Sequence, residues 1–261
     1  MVMCPICKDK SFTVWKEGLY RVNRCENCGV AFLNPLPENP VRIYNEDYFR
    51  KWYIKYYAER SGYTGKLFSL VEKQAEARGK LLDVGCGAGI LMEAVREKGW
   101  EACGQDVSPF AVEYCTNKGF KVYANPLPET DIPENSFDII TMFDVLAHLR
   151  DPLSYLLACR RLLKPGGCLA VKTPSHTPLL FNVARLFSFT GKSRVLLHVP
   201  AQIFHFDRKA LACVNKAAGL KLLRIFEVPD FSFSADKGCF AGILECSGFG
   251  RSLVACYGKV I

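Results

Sequence analysis

The 261-residue chain lacks any apolar run long enough to predict a membrane-spanning helix, which needs about 18 consecutive apolar residues. Its first ten residues, MVMCPICKDK, also lack the apolar core of a signal peptide. From these two absences we expect a cytoplasmic protein without a membrane span.

Two nucleotide-binding signatures are missing as well. The glycine-rich stretch LLDVGCGAGILMEAV, residues 81–95, is not followed by the Gly-Lys-Ser/Thr of a P-loop. Its glycine spacing is G-x-G-x-G, with Ile90 where the dinucleotide-binding pattern G-x-G-x-x-G has its third glycine. A P-loop is therefore excluded and a dinucleotide site is disfavoured.

The composition is that of an ordinary globular protein, with 49% hydrophobic and 23% charged residues. Its length accommodates one large α/β domain and a small appendage. The net charge is +8, and residues 172–261 hold 12 Lys and Arg against 5 Asp and Glu. A basic C-terminal third suits a phosphorylated or otherwise anionic acceptor, although scattered solvated lysines explain the excess equally well.

Four of the thirteen cysteines have the spacing of metal ligands, C-x2-C-x17-C-x2-C. This pattern predicts a structural zinc ribbon over residues 1–34, with a hairpin turn near Glu17-Gly18. Redox-active dithiols or an iron–sulfur site are the alternatives. The other nine cysteines are scattered through apolar segments and are predicted to be reduced core residues. The four with ligand spacing are Cys4, Cys7, Cys25 and Cys28.

Residues 35–62 form an aromatic-rich segment that follows the ribbon. Its prolines at 35, 37 and 40 indicate a linker. The dense aromatic side chains predict either close packing of one element on another, or a lid whose rings and hydroxyls line a substrate cleft. These side chains are Tyr44, Tyr48, Phe49, Trp52, Tyr53, Tyr56 and Tyr57.

Residues 63–261 are predicted to be one domain, in which helix-like and strand-like stretches alternate from 63 to 171, beginning with a helix predicted over 64–77. Strands are predicted at KLLDVG, EACGQDV, FKVYA, FDIITMF and CLAVKT, the last one preceded by a turn at KPGG. Helices are predicted at ILMEAVREKG, SPFAVEYCTNKG and DPLSYLLACRRLL. Such alternation predicts right-handed crossovers and a parallel sheet, hence an α/β fold.

The glycine turn lies between the first strand and the helix that follows it, where doubly wound sheets bind ligands. Asp83 precedes the turn, where a carboxylate can accept hydrogen bonds from an amino group. Asp106 ends the next strand, 21 residues beyond Gly85, where a carboxylate accepts from ribose hydroxyls. This arrangement favours a nucleoside that carries an amino-acid group over a pyrophosphate.

Four ordered motifs, LLDVGCGAG, GQDVSPFAVEYC, SFDIITMFDVLAHLRDP and LLKPGGCLAVKTP, resemble those of class I S-adenosylmethionine-dependent methyltransferases. The similarity is to the branch of ubiquinone-biosynthesis and type 11 or 23 methyltransferase domains, and covers about residues 65–230. It implies a Rossmann-like, seven-stranded sheet with an antiparallel end, and S-adenosylmethionine as the cofactor. Where many relatives have an acid that contacts the adenine, this chain has Asn125-Pro126. The cofactor-binding residues that the resemblance implies are Asp83, Gly85, Cys86, Gly87, Gly89, Asp106, Val107, Asn125, Leu127 and Phe143.

The acceptor side is predicted from three histidines. DVLAHLRDP resembles the family element LEHL-DP with Ala147 in place of the usual Glu, which puts His148 at the mouth of the cleft as a general base or a loop anchor. Residues 174–206 are predicted to be an acceptor-side insertion with an amphipathic, cleft-covering helix. His198 and His205 are further catalytic candidates within it.

The ribbon running through F-x-NP-x-P into NEDYF resembles methyltransferases of glycan, nucleotide-sugar and natural-product pathways. This resemblance predicts methyl transfer by in-line displacement to a small-molecule or sugar acceptor. One alternative is an RNA methyltransferase that grips RNA with its ribbon and basic C-terminal third. Another is a non-catalytic, cofactor-binding partner subunit.

Overall fold

The computed structural model describes residues 2–38, 45–76, 78–187, 197–230 and 251–259. These residues form two β-sheets, one with five strands and one with seven. Within these ranges every helix is too short or too polar to traverse a bilayer.

The smaller sheet is the ribbon predicted at the N-terminus, and its strands pair in antiparallel order. The hairpin closes where Glu17 pairs with Tyr20, and Gly18 adopts a φ of +60° in the turn between them. Glycine tolerates this left-handed conformation, which explains why the turn forms there. The strands are β1 (Val2–Met3), β2 (Lys10–Glu17), β3 (Tyr20–Cys25) and β4 (Ala31–Asn34).

The larger sheet forms the centre of the fold. Its strands are β5 (Lys80–Val84), β6 (Glu101–Gln105), β7 (Lys121–Tyr123), β8 (Phe137–Phe143), β9 (Leu163–Pro174), β11 (Leu220–Pro229) and β12 (Arg251–Lys259). They lie in the order β11-β12-β9-β8-β5-β6-β7. Five neighbouring strands are parallel, and β12 is antiparallel to both β9 and β11. This order confirms the predicted seven-stranded sheet with its antiparallel end.

Helices join the parallel strands as the alternation predicts. They are α3 (Ile90–Arg96), α4 (Pro109–Asn117) and α5 (Pro152–Leu162), while a further helix, α7 (Arg208–Ala217), precedes β11. The residues of β5 from Leu81 to Val84 are all buried, as expected for a strand with both faces covered. Pro109 occupies the first turn of α4 directly after Ser108, a position where its missing N–H does no harm.

From residue 46 onward the aromatic segment is helical. It contains α1 (Glu46–Phe49), a π-helical turn (Arg50–Ile54) and α2 (Tyr57–Glu72). The helix predicted over 64–77 begins earlier, at Tyr57, and ends earlier, at Glu72, and neither Gly62 nor Gly65 interrupts it. Both glycines face open space, with no atom within 4 Å of the place that a Cβ would occupy, so neither position requires glycine.

Strand β9 includes the KPGG sequence, residues 164–167, for which the sequence predicts a turn before the strand. The register against β8 shifts at this point, since Leu163 lies opposite Phe137 while Cys168 lies opposite Ile139. The extra residues of β9 form a bulge in its pairing with β8, so the KPGG sequence lies within the strand and does not precede it.

A two-residue strand, β10 (Phe204–His205), pairs with β4 and becomes the fifth strand of the ribbon sheet. The ribbon and the predicted insertion therefore share one sheet. Helix α6 (Pro178–Phe187), predicted as an amphipathic helix, packs on the ribbon. Residues 188–196 of the insertion lie outside the described residues. The cluster between the ribbon and the insertion contains Trp15, Val22, Ala31, Leu33, Leu180, Phe181, Ala184, Leu197 and Val199.

Candidate cofactor and acceptor site

The chain turns sharply between β5 and α3, where Gly85, Gly87 and Gly89 have φ angles of +70°, +55° and +74°. Side chains with a Cβ rarely adopt this left-handed backbone. The amide nitrogens of Gly85 and Cys86 donate to the carbonyl oxygen of Gln105 at 2.7 and 3.1 Å. The turn is therefore fixed to the carboxyl end of β6, at the edge where this fold class binds ligands.

The substitution Gly85→Ala should lower the free energy of unfolding by about 3–4 kcal/mol, since left-handed strain and overpacking add together. A Cβ on Gly85 would collide with Cγ2 of Val145. Gly99→Ala is the matched control: Gly99 has a φ of +84° but no atom within 4 Å of an added Cβ, so only the strain applies. We expect this control to lose about 1–2 kcal/mol in urea unfolding. Equal losses in the two variants would contradict the close contact at the turn.

Asp106 lies directly after β6 and is 9% exposed. Its Oδ2 accepts a hydrogen bond from the backbone N–H of Gly87 at 2.9 Å, and its Oδ1 accepts from that of Ser108 at 2.9 Å. Burial raises the pKa of Asp106, while the two backbone donors oppose this shift. The carboxylate is thus held in one orientation beside the glycine turn.

Asp83, near the end of β5, is a second buried carboxyl group, 5% exposed. The hydroxyl of Thr141 donates to its Oδ1 at 2.7 Å. Burial raises the pKa of Asp83 to about 7, the Thr141 hydrogen bond lowers it in part, and the charge of Asp106 adds to the rise. A buried carboxylate of this kind is stabilised by any cation or hydrogen-bond donor placed against it.

The substitution Asp83→Asn should change the pH dependence of stability. The folded-state pKa of about 7 lies above that of an unfolded Asp, about 3.9, so the native state binds the proton more tightly. Stability is then lost as the pH rises through this window. Relative to the wild type, Asp83→Asn should gain about 2–4 kcal/mol between about pH 5 and pH 8 in urea unfolding without cofactor. The exposed Asp131→Asn should follow the wild-type curve; a parallel curve for Asp83→Asn would contradict the raised pKa.

A cavity of about 170 Å³ opens beside the glycine turn, and we call it the first cavity. It lies between the aromatic segment on one side and, on the other, the glycine turn, the end of β6 and the loop after β8. Its walls are mostly apolar, with a few polar groups converging on them, as in a small-molecule site. They consist of Tyr48, Phe49, Tyr53, Gly85, Gly87, Gln105, Asp106, Val107, Phe143, Asp144, Val145, His148, Leu149 and Tyr155.

The aromatic segment lies over the glycine turn. A Cβ placed on Gly87 would be 3.5 Å from ring atoms of both Phe49 and Tyr53. The ring of Phe49 also stacks on Phe110 of α4, with a centroid distance of 5.4 Å. Phe49 therefore packs the segment on α4 and, with Tyr48 and Tyr53, lines the first cavity, whereas Trp52, Tyr56 and Tyr57 line neither cavity. Tyr44 lies outside the described residues.

A second cavity, of about 70 Å³, lies next to the first. Tyr53, Gly85, Phe143 and Asp144 line both, so the two are neighbours across the glycine turn. The second cavity also contains Asp83 and two cationic side chains. Its remaining lining residues are Arg60, Tyr63, Thr64, Leu67, Cys86, Ile90, Leu91 and Lys172.

Arg60 is a functional candidate that the sequence analysis missed. Its Nε donates to the carbonyl oxygen of Trp52 at 2.7 Å, and its guanidinium lies 4.4 Å from the ring centroid of Tyr53. These contacts direct a positive charge toward the second cavity, which Asp83 also lines. The sequence signal was weak, because Arg60 stands among several charged residues of a helix.

Lys172 of β9 is the other missed residue and is 1% exposed. Its Nζ lies 2.8 and 2.7 Å from the two carboxylate oxygens of Asp144, and 3.6 Å from Oδ1 of Asp230. Burial lowers the pKa of Lys172, but the charges of Asp144 and Asp230 outweigh this and raise the pKa above its usual range. Asp144 itself has a φ of +59°, a strained backbone that the ion pair helps to hold.

His148 lies in the wall of the first cavity, as predicted. Its Nδ1 is 2.8 Å from the carbonyl oxygen of Ala201. A carbonyl can only accept, so Nδ1 carries the proton and Nε2 is the basic nitrogen. Burial lowers the pKa of His148, and the hydrogen bond to Ala201 opposes the shift, so the ring is neutral near pH 7.

The other two histidines predicted to be catalytic lie elsewhere and line neither described cavity. His205 is 1% exposed on β10, with Nε2 3.1 Å from the carbonyl oxygen of Leu197 and its ring edge-on to His176 at 4.7 Å. Burial lowers the pKa of His205 to about 4. His198 is exposed on the segment before β10, with a φ of +50°. Their catalytic roles stay predictions.

The remaining residues predicted to bind the cofactor surround the same region. Val107 and Phe143 line the first cavity, and Cys86 lines the second. The carbonyl oxygen of Asn125 accepts a hydrogen bond from Nε2 of Gln105 at 2.9 Å, and Leu127 beyond it is fully buried. The structure thus brings most of the predicted set together around one turn.

The four cysteines of the ribbon converge on one point, with their sulfur atoms all within 4.8 Å of one another. Sγ of Cys4 lies 3.7 Å from that of Cys28, and Sγ of Cys7 lies 3.4 Å from that of Cys25. Around a tetrahedral zinc with Zn–S bonds of about 2.3 Å, sulfurs are about 3.8 Å apart. The donor set and its spacing therefore fit a structural zinc ion.

Comparison with known proteins shows which family the sequence of this chain matches. Residues 55–225 match the family model described as a methyltransferase domain. A ubiquinone biosynthesis O-methyltransferase of Pseudomonas aeruginosa is 29% identical over 180 residues, which cover 65% of this chain and 70% of that protein. A protein of the same name from Cereibacter sphaeroides is 37% identical over 111 residues, which cover 40% of this chain and 45% of that protein.

Solved structures share the fold at low sequence identity. The complex between a Haloferax volcanii methyltransferase activator, Trm112, and a methyltransferase includes a chain with a TM-score of 0.58 and 16% identity, covering 78% of this chain and 95% of that one. The protein PH0226 from Pyrococcus horikoshii has a TM-score of 0.59 and 16% identity, covering 82% of this chain and 99% of its own. At this identity the likeness shows the fold alone.

Proposed function

The chain belongs to the methyltransferase domain family and is an S-adenosylmethionine-dependent methyltransferase, and from this premise we propose that it methylates a hydroxyl group of a small molecule or sugar. The proposed cofactor site is supported by the pair of buried carboxyl groups, Asp83 and Asp106, on either side of one glycine turn. The proposed hydroxyl acceptor is supported by a neutral His148 in the wall of the first cavity.

The two cavities divide the binding of the cofactor between them. Asp106, in the first cavity, is the proposed acceptor for the ribose hydroxyls, and Asp83 is the proposed partner of the amino group. The guanidinium of Arg60 supplies the opposite charge that a carboxylate needs. Without a ligand, Asp83 carries the burial penalty that raises its pKa, so a bound cation relieves a destabilising feature of the fold.

Methyl transfer requires alignment of the reactants and exclusion of water more than covalent help from the protein. When bound, S-adenosylmethionine supplies a methyl group on a positively charged sulfur, which is already a strong electrophile. The rings of Phe49 and Tyr53 cover the glycine turn and keep water from the reacting centre. Holding the reactants in line accounts for much of the rate.

His148 is the proposed general base. Its Nδ1–H is directed to Ala201, so Nε2 is the nitrogen that takes the proton from the attacking hydroxyl. The lowered pKa keeps the ring unprotonated near pH 7 and therefore able to accept. Asp144, held by Lys172, adds a fixed negative charge in the same wall, which stabilises the protonated ring after the transfer.

The four ribbon cysteines are proposed to hold a zinc ion with a structural role. A site with four thiolates leaves no open coordination position, so it is closed to substrate.

The proposal is tested by incubating the protein with methyl-labelled S-adenosylmethionine and a metabolite extract, followed by mass spectrometry of the labelled products. We expect label on a hydroxyl of a small molecule. A second arm supplies total RNA at rising salt concentration, because RNA methylation weakens steeply with salt. Label in RNA, or no binding of S-adenosylhomocysteine in calorimetry, would refute the proposal.

A further inference from the structure

The segment of residues 201–206 lies between the ribbon and the loop that carries His148. On one side, the backbone N–H of Ile203 donates to the carbonyl oxygen of Ala147 at 2.8 Å. Two residues earlier, the carbonyl oxygen of Ala201 accepts from Nδ1 of His148 at 2.8 Å. Two hydrogen bonds therefore fix the position and the tautomer of His148 relative to this segment.

On its other side the same segment is bonded to the ribbon. The backbone N–H of Leu33 donates to the carbonyl oxygen of Ile203 at 3.0 Å. Phe204 pairs with Phe32 of β4, and their ring centroids lie 6.4 Å apart. The backbone of Ile203 thus accepts a hydrogen bond from the ribbon and donates one to the His148 loop.

An ion pair reinforces the junction at its end. The guanidinium of Arg24, on β3, lies 3.0 Å from Oδ2 of Asp207, which follows the segment. Oδ1 of Asp207 accepts from the backbone N–H of Ala210 and caps α7. The ribbon is therefore attached to the segment by backbone, ring and charged contacts.

The path between the cysteines and His148 is closely packed. Leu33, Ala147, Ile203 and Phe204 are each 0% exposed. Cys4, Cys25 and Cys28 belong to the same hydrophobic cluster as Ala147 and the segment. Because cores of this density transmit displacements instead of absorbing them, a change in the ribbon moves the segment.

The residues proposed to bind the cofactor are held by the large sheet. Asp83 lies in β5 and Asp106 follows β6, two strands that pair with each other and with β7 and β8. The glycine turn is fixed to Gln105 of β6. Its position is set by the large sheet and not by the ribbon strands.

We propose that the ribbon is a positioning element for His148: through residues 201–206 it sets the tautomer and place of this side chain. In consequence the acceptor half of the site depends on the intact, metal-bound ribbon, whereas the cofactor half does not. Phe32 and Ile203 are positioning residues in this sense. The inference rests on the proposed role of His148 but has a readout that does not need methyl transfer.

The test compares two phenylalanine-to-alanine variants of the ribbon in the full zinc-loaded chain. Phe32→Ala removes the ring that faces Phe204, whereas Phe12→Ala removes a ring that is 49% exposed on β2. The readout is the nitrogen NMR spectrum of the imidazole rings. The chain has four histidines, so His148→Gln identifies the signal of His148. Zinc content and S-adenosylhomocysteine affinity are measured for each variant.

In the wild type and in Phe12→Ala we expect His148 as the Nδ1–H tautomer. In Phe32→Ala it should shift toward the Nε2–H tautomer, which a free imidazole side chain prefers, because the carbonyl of Ala201 is displaced. Affinity for S-adenosylhomocysteine should stay within about twofold in both variants, while turnover of any acceptor found should fall about tenfold or more in Phe32→Ala alone. Phe32→Leu, which keeps part of the side chain, serves where Phe32→Ala loses zinc or fails to fold.

An unchanged His148 tautomer in folded, zinc-loaded Phe32→Ala or Phe32→Leu would overturn the inference. A parallel loss of S-adenosylhomocysteine affinity would also overturn it, since the cofactor half would then depend on the ribbon. If the wild type bound no S-adenosylhomocysteine, the proposed function would fail. The tautomer shift would still decide whether the ribbon positions His148.

Discussion

Replacing Asp106 with alanine should weaken the binding of S-adenosylhomocysteine by about 100-fold or more, since each lost hydrogen bond to a charged group contributes about 1.5–3 kcal/mol. Asp106 is 9% exposed and its two oxygens are already oriented by the backbone N–H groups of Gly87 and Ser108. The substitution removes the proposed ribose acceptor and also a contact that fixes the glycine turn. Calorimetric titration measures both the affinity and the number of sites.

His148→Ala is the control for Asp106→Ala, since both residues line the first cavity. We expect this change to alter S-adenosylhomocysteine affinity by about threefold or less, since a general base adds little to ground-state cofactor binding. Asp106→Asn keeps the size of the side chain but turns an amide N–H₂ toward backbone donors, so it should also bind weakly. An affinity loss in His148→Ala equal to that in Asp106→Ala would refute the assignment of the two halves of the site.

Loss of the metal site should destabilise the protein by about 4 kcal/mol or more, a fraction of the 10–16 kcal/mol with which small zinc domains bind their metal. The purified chain should contain one zinc ion, and Cys25→Ser should lose it. The ribbon buries too little apolar surface by itself to replace the metal. Thermal unfolding measures the loss of stability, and mass spectrometry measures the zinc content.

Cys213→Ser is the matched control for Cys25→Ser, because Cys213 is a half-buried thiol of α7 away from the four ligands. It should keep its zinc and most of its stability. A visible absorption band would instead indicate iron–sulfur chemistry, and oxidation to disulfides without bound metal would indicate a redox site. Either result would contradict a structural zinc ion.

Local patterns predict the elements that depend on local chemistry. The strand at Phe137–Phe143 has the bounds that the sequence predicts, because a short stretch rich in β-branched and aromatic residues after a loop favours a strand. The glycine turn can be recognised in the sequence because a left-handed backbone favours glycine. Asp106 can be recognised because it is an acidic residue directly after a predicted strand. The convergence of these residues around one cavity is a consequence of the parallel sheet.

The residues that sequence reasoning missed depend on distant partners. In the sequence Lys172 resembles an ordinary solvated lysine, yet it is 1% exposed because it pairs across the sheet with Asp144, 28 residues earlier. Its only signal was a single charge within the apolar stretch CLAVKT. Strand β10 has two residues and no periodicity, so its pairing with β4 could not be derived from local composition.

That pairing also constrains the order in which the chain can fold during synthesis. The hairpin of β2 and β3 can form as soon as these ribbon residues leave the ribosome, and β4 can then pair with β3, but the second partner of β4 is not made until Phe204 and His205 have been translated. Until then β4 presents an open strand edge, which is prone to pairing with other chains. The nascent chain therefore exposes this edge for a long interval, and early metal binding by the ribbon would reduce the number of alternative pairings open to it.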